Sequence, residues 1–144
     1  MIAVVALAAT NLVGVILFGT VYALAGARRL SQTAFVACLV LVFGLVTALW
    51  VRTEARHAAI HPLGRLGRGV AGLLAVMLIA PAAVLMPLFW LDEILPREVG
   101  FSSLLGPVMA LVLISLALVA LTNLVGALII AGRAALGRSG AAPG

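Results

Sequence analysis

Residues 1–25 read MIAVVALAATNLVGVILFGTVYALA, a run without one charged side chain. As a helix rising 1.5 Å per residue it reaches ~38 Å, more than the ~30 Å hydrocarbon core of a bilayer. Three further apolar stretches follow, from about Ser31 to Val51, Gly69 to Leu91, and Pro107 to Ala131. In lipid every backbone polar group needs an internal partner, and no two-residue alternation suggests barrel strands, so all four are read as helices. The expected fold is an all-α integral membrane protein, a four-transmembrane-helix bundle with short loops. It forms one domain over residues 1–144, with helices at about 2–25, 31–51, 69–91 and 107–131 and a flexible tail at 138–144.

The boundaries carry local signals. Gly26 is the expected C-cap of the first helix, Ser31 the N-cap of the second, and Pro107 suits the first turn of the fourth. Tyr22, Trp50, Phe89, Trp90 and Phe101 fall near the ends of spans, where amphipathic rings favour the headgroup region. Ala23-Leu24-Ala25 has the small-x-small form of a signal-peptidase site. The segment lacks a basic leading region and is longer than a signal core, so it reads as a retained span.

Composition agrees. The chain is 65% hydrophobic and 9% charged, where a soluble domain carries about a quarter charged residues. Its basic residues are all arginine and lie at the ends of apolar runs. The net charge of +5 therefore points to lipid headgroups and not to nucleic acid. With both termini inside, Arg52, Arg56, Arg65, Arg68, Arg133 and Arg138 share the inner side, against Arg28, Arg29 and Arg97 outside. The positive-inside rule favours that N-in, C-in orientation, in a setting such as a bacterial inner membrane.

The first span holds Thr10-Asn11-Leu12-Val13-Gly14, and the fourth repeats it as Thr122-Asn123-Leu124-Val125-Gly126. Asn11 and Asn123 are the only asparagines in the chain. In an up-down bundle the two Thr-Asn pairs run antiparallel at similar depth. The expectation is that helices one and four are neighbours and that the two carboxamides hydrogen-bond across the seam. Ala6, Thr10 and Gly14 form a small-residue ridge, and Thr122–Gly126 and Gly44–Ala48 repeat its spacing, which lets helices approach closely. Thr10, Asn11, Gly14, Pro81, Thr122, Asn123 and Gly126 are thus the candidate packing residues, or the lining of a path. Pro81 and Pro87 each remove a backbone donor, from the carbonyls of Met77 and Ala83, so a kink is expected near Pro81.

No ionisable residue falls in the core of any expected span, which argues against proton-coupled carriers and voltage sensors. Arg52, Arg56, Arg65 and Arg68 are expected to dock on anionic headgroups. Glu54, His57 and His61 have helical spacing, but a carboxylate-bridged metal pair needs a second such set, and Pro62 takes His61 out of helical geometry. Asp92, Glu93, Arg97 and Glu98 read as a solvated outer loop. Cys38 reads as a small hydrophobe. No catalytic motif, metal set or cofactor loop is present. The expected function is that of a non-enzymatic structural or accessory subunit, packing against itself or a larger membrane complex. The alternative is a small oligomeric transporter or channel with a path near Pro81 and the Asn11/Asn123 pair.

Overall fold

The computed structural model describes residues 2–56, 62–94 and 101–140, with the side chains at 62–63, 65–66, 88–94 and 101–104 left aside. It contains α1 (Ile2–Gly26), α2 (Gln32–Arg56), α3 (Pro62–Ile94) and α4 (Phe101–Ser139). All four are long and apolar enough to cross a membrane, as a multi-pass membrane protein requires.

The helices run past the apolar spans. α2 continues beyond Val51 to Arg56, α3 begins at Pro62 and ends at Ile94, and α4 starts at Phe101 and runs through Arg138 to Ser139. Arg138 and Ser139 are therefore helical and not part of a tail, and Asp92 and Glu93 belong to the last turn of α3 and not to a loop. A span ends where charge begins, but a helix does not, because Arg, Glu, Ala and Leu all favour it. Pro62 opens α3 at the position where a missing N–H costs least. Pro81 and Pro87 both lie inside α3, which continues through them.

The α1–α2 turn is capped differently from expectation. Arg28, not Gly26, adopts the left-handed conformation (φ 54°). The Arg29 N–H donates to Leu24 O and the Arg28 N–H to Ala25 O, both at 3.0 Å, which is a Schellman motif with arginine in the glycine position. Ser31 caps α2 as expected, accepting from the Ala34 N–H at 3.2 Å. Tyr22 and Phe35 close the same end edge to face, with ring centroids 5.3 Å apart.

α1 packs against all three other helices, α4 also packs against α2 and α3, and α2 and α3 sit on the long diagonal. Close contacts give the directions. Gly14 meets Val119 and Gly19 meets Ser115, so α1 and α4 are antiparallel. Gly14 meets Val46 and Thr10 meets Thr53, so α1 and α2 are antiparallel too. The buried face of α1 is Leu7, Asn11, Gly14, Val15, Phe18 and Val21, and that of α4 includes Val112, Ser115, Leu116, Val119, Thr122, Asn123 and Gly126, both with helical periodicity. Other large apolar side chains, such as Leu41, Leu78 and Leu128, are exposed on the outside of the bundle, while Leu12, Phe43 and Leu118 pack partly against the core.

Glycine decides how closely the helices approach. A Cβ on Gly14 would stand 2.8 Å from Val119 Cγ2 and 3.0 Å from Val46 Cγ1. One on Gly126 would stand 2.6 Å from Trp50 Cε3, and one on Gly72 3.0 Å from Leu7 Cβ. Both glycines of the repeated pentapeptide are thus pressed against α2.

Candidate functional site: the polar half of the core

The core divides along the bundle axis. One half is an apolar cluster of Val15, Phe18, Val46, Val76, Ala80, Val112, Leu116 and Val119. Pro81 adjoins this half through Ala80. The other half, toward the start of α1 and the end of α2, holds most of the buried polar side chains: Asn11, Thr47, Glu54, Thr122 and Asn123.

Register places the two asparagines at one level. Three residues back from Gly14 along α1 is Asn11, and three and four onward from Val119 along α4 are Thr122 and Asn123. Asn11 therefore faces Thr122–Asn123, as the antiparallel reading of the repeat requires. The expected hydrogen bond between them is not formed. Asn11 is wholly buried and Asn123 is 8% exposed, and neither the carbonyl nor the amide end of either makes a hydrogen bond among the described residues. One turn beyond each asparagine a side chain of α2 packs into the seam, Val46 against Gly14 and Trp50 against Gly126, so α1 and α4 do not meet there alone. Thr122, by contrast, satisfies itself by donating to Val119 O at 2.7 Å.

Two groups from α2 complete this layer. Thr47 is buried and its hydroxyl makes no hydrogen bond among the described residues. Trp50 was expected at the headgroup interface, yet it is buried. Its ring lies over Gly126 of α4 at one edge and approaches Gly69 of α3 at the other. The missing side chain of Gly126 gives the indole its room, whereas a Cβ at Gly69 would make an ordinary 3.6 Å contact with it. Its N–H, too, has no partner among the described residues.

Below this layer α1 and α2 meet through Thr10 and Thr53. Each hydroxyl donates to the carbonyl one turn back, Ala6 O at 2.9 Å and Leu49 O at 2.8 Å, and the two oxygens lie 3.3 Å apart. One residue on, Glu54 is completely buried. Arg68 Nη2 donates to Glu54 Oε1 at 2.9 Å, and the arginine side chain is only 11% exposed. Because Thr53 is level with Thr10, Glu54 lies roughly 10 Å inside the first residue of α1. Glu54 and Arg68 lie just beyond the expected spans, at 31–51 and 69–91, yet inside the helix bundle. An ion pair sits between α2 and α3 within the bundle, and Arg68 is directed into it.

Of the other expected headgroup residues, Arg52 and Arg56 are exposed, and the Arg65 side chain lies outside the described residues. So do His57, His61, Arg97, Glu98 and the side chains of Asp92, Glu93, Phe89, Trp90 and Phe101. The buried pair was missed because Glu54 and Arg68 lie outside the apolar runs. A signal existed: Val46, Thr47, Trp50 and Glu54 continue one helical stripe past the end of the second run.

No protein-family model, curated protein or solved structure matches the chain.

Proposed function

We propose that this chain is a structural or accessory subunit of a membrane assembly, docking against a second copy or a larger complex through the α2 face at Gly44 and Ala48. One observation carries the reading. Gly14, Gly72 and Gly126 are consumed within the bundle, whereas Gly44 and Ala48 are exposed and a Cβ at Gly44 would meet nothing within 4 Å. Apolar burial drives little association in lipid, and a small-residue face on a helix is what permits close approach by another. The exposure of Arg52 and Arg56 on the same helix supports a role in contacting anionic headgroups.

Native mass spectrometry of the protein extracted gently from its own membranes tests this. Stoichiometric co-purification, lost on Gly44→Leu while the helices and the Trp50 fluorescence environment are retained, is the expected result. A lone chain from the unaltered membrane overturns it.

A second reading, a transporter or channel with its path at Asn11 and Asn123, is supported by the buried carboxamides that have no partner among the described residues. Its test is flux in reconstituted vesicles. A path requires Asn11→Ala to abolish flux without loss of fold.

A further inference from the structure

We propose that the polar half of the core is a water site, held by Asn11, Thr47, Trp50 and Asn123, that exchanges with solvent on the Arg68 side and ends in mid-bundle against Val15, Val46 and Val119. This inference does not depend on the subunit reading, since it concerns the interior and not the outer face.

Four side chains from three helices, each more than nine-tenths buried, present polar atoms that no described protein group satisfies. They are gathered at neighbouring levels. Asn11 lies level with Thr122–Asn123 across the α1–α4 seam, and Thr47 lies in the turn of α2 between Val46, on which Gly14 packs, and Trp50, on which Gly126 packs. A single orphaned amide is an ordinary imperfection. A group of six such atoms from three helices, in the same half of the core, asks for a common partner.

The donor and acceptor inventory selects that partner. The carboxamides supply N–H donors and carbonyl acceptors, the hydroxyl does both, and the indole only donates. The four carry no net charge. A cation would leave the amide and indole donors unused, and an anion would face the carboxamide oxygens and the Glu54 carboxylate beyond them. A small neutral molecule that both donates and accepts meets all four, and water is the one always at hand. Sidedness follows from the neighbours. Toward the end of α2 the layer leads past Thr10 and Thr53 to Glu54 and Arg68, whose side chain keeps some exposure. In the other direction it meets the apolar cluster.

The chain is well suited to a direct test, because its only primary amides are Asn11, Asn123 and Gln32. Water-edited NMR of the unaltered protein in lipid nanodiscs reads all three at once, with exposed Gln32 as the positive control. The expected result is magnetisation transfer from water to the Asn11 and Asn123 amide protons and to the Trp50 indole N–H. Loss of that transfer while Gln32 retains it overturns the proposal, as does a direct hydrogen bond between the two carboxamides. Sidedness is read separately with Thr47→Cys in a Cys38→Ala background. A membrane-impermeant thiol reagent labels it from the Arg68 side only, and labelling from the opposite side alone overturns that part.

Discussion

Gly126→Ala is the sharpest test of how the helices are held. In an open helical position, replacing Gly by Ala stabilises by up to about 1 kcal/mol, because Gly loses more freedom on folding. At Gly126 the new methyl would lie 2.6, 3.1 and 3.4 Å from three atoms of the Trp50 ring. A rigid bicycle, buried and bounded on its other edge by Gly69, cannot yield as the end of a flexible chain would. Overpacking of this kind costs about 1–3 kcal/mol, so the steric term wins and a net loss of ~1–2 kcal/mol is expected. Gly132→Ala, on the same helix with open space around it, supplies the control and should be neutral or slightly stabilising. The assay is reversible unfolding in mixed micelles, followed by steric trapping. Trp50→Leu should remove most of the Gly126→Ala penalty, since the clash has one partner. Equal stabilities for Gly126→Ala and Gly132→Ala would refute the packing argument.

Three other outcomes are expected. Arg68→Ala leaves the Glu54 carboxylate buried without the 2.9 Å bond from the guanidinium and should cost ~3 kcal/mol, while Glu54→Leu with Arg68→Met should recover most of it; unfolding of both in the same micelles checks this. Arg28→Gly relieves a side chain held at φ 54° and should stabilise by ~0.5–1 kcal/mol, seen as slower exchange of the Arg29 amide that bonds Leu24 O. Ser31→Ala removes the cap on the Ala34 N–H and should cost ~1 kcal/mol, with amide exchange rising in the first turn of α2 and not elsewhere.

The spans were legible because their cause is local: a bilayer demands about 20 apolar residues, and the chain supplies them four times. The antiparallel approach of α1 and α4 was legible from the pentapeptide repeat, since direction follows from span count and level from distance to the membrane face. What escaped was the interior chemistry near the start of α1 and the end of α2. Glu54 and Arg68 sit outside the apolar runs, and a sequence alone does not say that α2 carries its buried stripe past Val51. Trp50 escaped for a related reason. An aromatic near a span end is ordinarily an interfacial residue, and it is the gap left by Gly126 of α4 that admits this one to the bundle. Arg28 escaped because propensity favours Gly26 as the cap, whereas the chain needs two more residues before it reverses.

The repeat itself bears on how this interior arose. If Gly14 and Gly126 were related by a two-fold axis through the α1–α4 seam, they would meet equivalent residues. The register allows it: Val119, which Gly14 meets, corresponds to Leu7 in the repeat, and Leu7 is level with Gly126. The contacts do not follow the register. Gly14 takes a valine from each of α4 and α2, whereas the three nearest atoms at Gly126 all belong to Trp50, and Leu7 packs instead on Gly72 of α3. The pentapeptide thus recurs as one solution to one problem, a small residue a turn away from an inward asparagine, and α2 and α3 complete the two ends differently. That difference sets Val46 beside one glycine and the indole beside the other. It leaves polar groups concentrated on one side of the core and an apolar seal on the other, the arrangement a one-sided water site requires.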